Sequence, residues 1–282
     1  MVSEKPSFIS LFAGCGGSSL GYKQAGFHEL LAIDFDKHAI EIFKLNFPNI
    51  PCWQRDIKEV TGKEIMDFCR IKKGELDLLD ASPPCQGFST AGKRQINDER
   101  NDLFKEFVRL IKELEPKVFV MENVSGLIKG KMKGRFIEIM RELKSLSYQV
   151  KCKLMNAMYY GVPQSRQRLI WIGAKEIIPS FPKHIGFPIS AGEALNIEGV
   201  FYDSYPKQPK TNRPAPTLRQ GRSYSIIQTR SMGINPRMNG PAACITKSSS
   251  DYQAKIDNKT RRLTIAEAKI LSSYPEGFNF EG

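Results

Sequence analysis

Long apolar runs are missing from this 282-residue chain, where unbroken hydrophobic stretches stop at four residues, as at Val118–Met121. A membrane-crossing helix needs about 20, so no such span is read in the sequence. The opening Met1-Val-Ser-Glu-Lys-Pro6 has no apolar core of an export signal, and a cytoplasmic location is expected. Histidine is scarce, three in all, and the six cysteines (15, 52, 69, 85, 152 and 244) form no Cys-x-x-Cys pair. That combination does not build a zinc site, so reduced thiols and no metal are expected. Acids are also short: 30 Asp and Glu stand against 42 Lys and Arg, a net charge of +12. Hydrophobic residues at 41% and charged residues at 26% are ordinary, which excludes wholesale disorder and leaves one large domain or a core with a smaller lobe. A basic chain without an amphipathic anchor suits a polyanion partner, although a merely soluble basic surface has the same bulk charge.

The charge is concentrated. Lys207, Lys210, Arg213, Arg219, Arg222, Arg230, Arg237, Lys247, Lys255, Lys259, Arg261 and Arg262 face only two acids between them, Asp251 and Asp257. Nine of the 17 prolines lie between Pro179 and Pro241, and Tyr202, Tyr205, Tyr224 and Tyr252 are interleaved with the charge. Such a segment suits a nucleic-acid surface, and a solvated insertion is its bland alternative.

The first 175 residues alternate short strand patterns with helical ones. Strands are expected at Phe8–Phe12, Leu30–Ile33, Leu76–Asp80, Lys117–Met121, Val150–Leu154 and Leu169–Gly173. Helical spacing marks Asp102–Leu114 and Arg135–Leu146, with Pro116 and Gly134 outside their ends. The pattern predicts an α/β fold with a doubly wound, mostly parallel sheet, which binds ligands at the carboxyl ends of its strands.

The informative residues fall at those ends. The first strand runs into Ala13-Gly14-Cys15-Gly16-Gly17-Ser18-Ser19, a glycine turn that lacks the third glycine of the dinucleotide fingerprint because Ser19 stands there. Asp34 ends the second strand, where an acid suits two ribose hydroxyls, and the aromatic Phe35 follows. A nucleoside-containing cofactor is implied, with S-adenosylmethionine and NAD both open; a tight turn with a capping Asp is the plain alternative. Strand Leu76–Asp80 leads into Ala81-Ser82-Pro-Pro-Cys85-Gln-Gly-Phe-Ser89, whose prolines fix where Cys85 points. Glu122 and Asn123 close the next strand, and Arg166 and Arg168, two apart on an extended segment, point the same way.

Taken together, these segments closely resemble the DNA (cytosine-5) methyltransferases of bacterial and phage restriction-modification type. The matches run in the family's order: Phe12-Ala-Gly-Cys-Gly-Gly17, Asp34 with Phe35, Asp56, Pro83-Pro-Cys-Gln-Gly-Phe-Ser89, Glu122-Asn-Val124, Gln164-Ser-Arg-Gln-Arg168, and Arg261-Arg-Leu-Thr264 with Glu267. The resemblance implies a Rossmann-like S-adenosylmethionine-dependent domain over residues 1–178, a target-recognition lobe over 179–257 and a return segment over 258–282. It implies Cys85 as the nucleophile on cytosine C6, Glu122 on N3 and the exocyclic amine, and Arg168 with Arg166 on the base oxygen and Glu122. Phe12, Gly14, Gly16, Asp34, Phe35, Asp56 and Ile57 would meet S-adenosyl-L-methionine. Pro84 and Asn123 would support the Cys85 loop, and Ser89, Lys93, Arg94 and Gln95 would belong to a loop closing over DNA. The expected partner is double-stranded DNA with the target cytosine flipped out, and the expected state is a monomer.

One departure stands out. The family's closing Gly-Asn-x-Val-Pro segment has no match, since the chain stops at Phe278-Asn-Phe-Glu-Gly282. The reading is a shortened sequence, or a second chain that supplies the segment. A transfer-RNA cytosine-5 methyltransferase and a catalytically silent DNA-binding subunit are the rival functions.

Overall fold

The structure, a computed structural model, describes residues 5–84, 102–128, 130–189, 191–196, 227–230, 233–236, 242–243, 253–256, 259–262 and 264–280. The strands β1 (Ser7–Leu11) and β4 (Leu78–Ala81) are almost wholly buried apolar runs, the pattern of strands covered on both faces. They form the centre of a seven-stranded sheet with β2 (His28–Asp34), β3 (Cys52–Gln54), β5 (Val118–Val124), β6 (Gln149–Asn156) and β8 (Gln167–Ala174), in the order β3-β2-β1-β4-β5-β8-β6. The pairs from β3 through to β5 are parallel, and β8 runs antiparallel to β5. The strand order reverses between β1 and β4, the place where such sheets leave a crevice at their carboxyl ends.

Helices pack where their apolar spacing allows. In α4 (Leu103–Leu114) the residues Phe104, Phe107, Val108, Leu110, Ile111 and Leu114 are buried, each worth about 2 kcal/mol of removed apolar surface. The helix stops at Glu115, which takes a left-handed φ of 49° just before Pro116. In α3 (Gly62–Cys69) Thr61 and Glu64 form a reciprocal cap, and α2 (Lys37–Asn46) starts on the Asp36 carboxylate. The helix α5 (Lys133–Lys144) departs from expectation at its start: Gly134 lies inside the first turn, where nothing crowds it. Within the core Phe8, Phe43, Phe107, Phe119 and Trp171 are fully buried.

The chain divides into two compact units. The first holds Met1–Leu154, Arg168–Phe181 and Asn279–Gly282, and the second holds Met155–Gln167 and Pro182–Phe278. These bounds differ from the expected breaks at 178 and 257. Met155–Gln167 groups with the second unit because its turn Ala157–Tyr160 and strand β7 (Gln164–Ser165) make their bonds there: β7 pairs with β11 (Ala242–Ala243), and Gln164 Nε2 donates to Ser272 Oγ at 2.9 Å. The second unit also has the hairpins β9–β10 (Ile227–Arg230, Gly233–Pro236) and β12–β13 (Gln253–Ile256, Lys259–Arg262), and the helices α6 (Ala191–Leu195) and α7 (Ile265–Leu271). Thr264 and Glu267 form a capping box at the start of α7. Of the basic cluster, Arg230, Lys255, Lys259, Arg261 and Arg262 lie on these strands, and Lys207, Lys210, Arg213, Arg219, Arg222, Arg237 and Lys247 lie outside the described residues. No described helix is long and apolar enough to cross a membrane.

Candidate active site

At the cofactor end, main-chain geometry does most of the construction. The strand β1 ends at Leu11, and Phe12, expected as its last residue, leaves the strand with a left-handed φ of 57°. A bulky side chain holds that conformation only where its surroundings enforce it. Here Phe12 packs against the core while Ala13 N donates to Ile33 O at 3.1 Å. Gly14 follows with φ 56°, and a Cβ added there would meet nothing within 4 Å. Its N–H donates to Asp34 Oδ2 at 2.8 Å, and Asp36 N donates to Asp34 Oδ1 at 2.8 Å. Asp34 therefore ties the turn after β1 to the end of β2, and the capping of α2 is left to Asp36. Beside it Phe35 is 73% exposed, an open aromatic face.

Three neighbours also have partners within the fold. Gly16, at φ 90°, is the N-cap of α1 (Gly17–Gln24), and a Cβ there would run into the Phe47 ring. Its glycine thus answers to a close approach within the fold as well as to its backbone angle. Asp56 Oδ1 caps the short turn Ile57–Glu59 through Lys58 N at 3.0 Å. Ile57, expected beside a cofactor, is 4% exposed and belongs to the core cluster.

At the chemistry end, side chains on one sheet face do the work. Glu122 lies opposite Ile170 in the β5–β8 ladder, and Arg168 lies opposite Val124. Side chains on a given face recur every second residue, so Glu122 and Arg168 are diagonal neighbours on one face. Arg168 Nε sits 2.6 Å from Glu122 Oε1, with both side chains largely buried. Arg166 falls between β7 and β8 in the second unit, where its carbonyl accepts from Ala157 N at 3.0 Å. On the opposite face of β5 Asn123 is 2% exposed, and its Nδ2 donates to Pro83 O at 3.2 Å. That bond holds the carbonyl two residues before Cys85, next to Pro84.

Cys85, Ser89, Lys93, Arg94 and Gln95 lie outside the described residues. Among the described cysteines, burial pushes Cys52 and Cys152 up to about 12 and Cys69 up to about 11, which keeps these three as inert thiols. No described cluster of His, Cys, Asp and Glu could hold a metal ion.

Sequence reasoning passed over two buried acids. Asp80, expected as a strand end, lies inside β4, 3% exposed, with Tyr22 Oη donating to its Oδ1 at 3.0 Å. Glu29 on β2 is 5% exposed and accepts from Ser10 Oγ and from Ser19 Oγ. Burial pushes Glu29 up to about 7 and Asp80 up to about 6, and each also responds to a neighbouring acid. The signal was available: an acid within an apolar strand of a doubly covered sheet must be buried and must find a partner or a proton.

The comparisons with known proteins agree on one family. A sequence model described as C-5 cytosine-specific DNA methylase matches residues 6–193. Type II methyltransferase M1.HphI of Haemophilus parahaemolyticus is 35% identical, over 98% of this chain and 79% of that protein. Type II methyltransferase M.XorII of Xanthomonas oryzae is 41% identical over 68% of this chain, which spans 46% of its length. Among solved structures, a DNA modification methyltransferase encoded within an Escherichia coli prophage superposes with a TM-score of 0.59 at 31% identity, covering 77% of this chain and 62% of that one.

Proposed function

The chain belongs to the C-5 cytosine-specific DNA methylase family, and from that membership we propose that it methylates cytosine C5 in double-stranded DNA through a covalent Cys85–C6 adduct. S-adenosylmethionine, when bound, supplies an electrophilic methyl group. The residues present fit such a cofactor. Gly14 leaves open space where a side chain would stand, Asp34 is fixed at the strand end, and Phe35 offers an uncovered ring.

The chain's own groups act on the base. The Cys85 thiolate adds to C6, which breaks the 5,6 double bond and places the electron pair on C5. Glu122 meets the N3 edge and supplies the hydrogen bond that stabilises the charge built by this addition. Arg168 holds Glu122 in place. After C5 has taken the methyl group it loses its proton, and Cys85 leaves with its electron pair to restore the double bond. Asn123 fixes the Pro83 carbonyl and so the approach of the loop that carries Cys85. The unpaired base must leave the duplex for C6 to be reached, at a cost of a few kcal/mol.

The observation that carries this reading is the Glu122–Arg168 pair at 2.6 Å on the face beyond β5. The Type II names of the relatives support a role in a restriction-modification system. The test is incubation with methyl-labelled S-adenosylmethionine and, in separate tubes, unmethylated DNA and bulk transfer RNA, followed by digestion to nucleosides. Label in 5-methyldeoxycytidine is expected. Label only in 5-methylcytidine moves the substrate to RNA, and no label in either favours a silent or incomplete form.

A further inference from the structure

One basic side chain in the middle of α4 reaches the turn that follows β3. Arg109 is largely covered, and its Nε donates to Glu106 Oε2 and its Nη1 to Glu113 Oε1, each at 2.8 Å and both on its own helix. Its Nη2 donates to two main-chain carbonyls outside the helix, Ile57 O at 3.1 Å and Val60 O at 2.8 Å. All these bonds leave one planar fork, and the two glutamates fix the direction in which it points. Glu113 adds a further tie, because its Oε2 accepts from Gly62 N at the start of α3, where an added Cβ would run into Glu113 itself. The segment from Ile57 to Gly62 is thus fastened to α4 by its main chain. The other side of that segment belongs to the cofactor end. Gln54 lies opposite Asp34 in the parallel β2–β3 ladder, and Arg55 N donates to Asp34 O at 3.0 Å. Asp56 follows, its Oδ1 accepting from Lys58 N and its carbonyl from Glu59 N, each at 3.0 Å. Asp34 and Asp56 therefore stand at neighbouring strand ends on the carboxyl edge, where such sheets meet ligands. Exposed ion pairs add little to stability, and a link between α3 and α4 alone needs no donor aimed at Ile57 and Val60.

We propose that Arg109 is a positioning residue for the cofactor: its guanidinium fastens the turn after β3 and so sets Asp56 beside Asp34, where the nucleoside of S-adenosylmethionine is met. This rests on the methyltransferase reading. Arg109 acts through the Ile57 and Val60 carbonyls and touches neither the cofactor nor the base. Two carbonyls bonded to one rigid charged donor keep the turn in a single geometry, and a site ordered in advance loses less affinity to its own ordering. A lysine in this place offers a single ammonium, which cannot serve both glutamates and both carbonyls at once. The fork is held by groups of α4 itself, so it is already aimed when the turn arrives.

The test combines calorimetry of S-adenosylhomocysteine binding with steady-state methyl transfer to unmethylated duplex DNA, for the full chain as wild type, Arg109→Met and Arg109→Lys. Arg109→Met is expected to raise the Kd for S-adenosylhomocysteine and the KM for S-adenosylmethionine about tenfold, the scale of one charge-assisted hydrogen bond. Its kcat at saturating cofactor and its KM for DNA are expected to stay within about twofold of wild type. Arg109→Lys is expected to fall between the two. A lower melting temperature with unchanged cofactor affinity marks a role in stability alone and overturns the proposal, as does a loss of kcat at unchanged KM. A second measurement needs no variant, should Arg109→Met not fold. Hydrogen exchange of the wild-type amides at residues 58–62 is expected to slow when S-adenosylhomocysteine binds, while the last turn of α4 stays as it was. Unchanged exchange at 58–62 overturns the proposal. If wild type binds no S-adenosylhomocysteine and labels no DNA, the methyltransferase reading fails and this one falls with it. If wild type binds and labels, and Arg109→Met binds equally well, this one fails alone.

Discussion

The two ends of the sheet's carboxyl edge are built by different means. The cofactor end is made of main chain: the left-handed Phe12 and Gly14, and two backbone N–H groups closing on Asp34. The chemistry end is made of side chains in register on one face: Glu122, Arg168 and, below them, Asp80. Backbone amides are neutral and keep their dipoles at every pH, whereas burial raises the Asp80 and Glu29 carboxyls beneath the second end toward neutrality. The first end is thus set by backbone geometry, and the second by side-chain register over buried acids. The difference teaches that neighbouring strands of one sheet can end in a turn built from main chain and in a cluster built from side chains.

The strongest way to break this contrast is to remove one end at a time. Cys85→Ala is expected to take label in 5-methyldeoxycytidine to background while the melting temperature and S-adenosylmethionine affinity stay near wild type. A variant that still turns over at wild-type rate breaks the chemistry-end assignment. Asp34→Ala is expected to act at the other end. Losing two charge-assisted hydrogen bonds frees the turn after β1, so cofactor binding by calorimetry should weaken roughly tenfold to a hundredfold, with duplex DNA binding kept. Equal weakening of both ligands would erase the distinction between the ends.

A smaller effect sharpens it. Glu29 is raised from its ordinary 4.5 to about 7, mainly by burial. A carboxyl raised on folding keeps its proton longer in the folded state than in the unfolded one. Its contribution is full below about 4.5 and is lost as pH rises to about 7, on the order of 3 kcal/mol across the window. Glu29→Gln should flatten that decline in a series of thermal melts, leaving the shallower slope that Asp80 provides. An unchanged slope would show that Glu29 does not hold its proton.

The motifs at the sheet's carboxyl edge were legible because they carry local signals. Glycines at the first turn, an acid closing the second strand and paired prolines before Cys85 each reflect a short-range demand on the backbone. Asn123 was read as a support for the Cys85 loop, and its bond to Pro83 is what the structure supplies at that point. Other features were hidden. Phe12 reads as one more strand residue, and only the packing around it shows the left-handed turn. Ile57 follows an acid in a cofactor-like position, and only the tertiary structure shows it buried in the core cluster. Gly134 reads as a helix breaker and sits inside α5. Asp80 reads as the last residue of its strand and Glu29 falls outside the expected one, because a single strand does not reveal the burial of either acid.

The sequence by itself determined the alternation of strands and helices, the crevice at the carboxyl ends and the order of the motifs, since each depends on neighbours a few residues apart. Tertiary structure alone decided the antiparallel β8 that sets Arg168 diagonal to Glu122, and the polar file that joins Glu29, Ser10 and Asp80 beneath it. The reason is physical: register between strands and burial beneath a helix are set by packing over long sequence separations, and the charge state of a carboxyl follows from that burial.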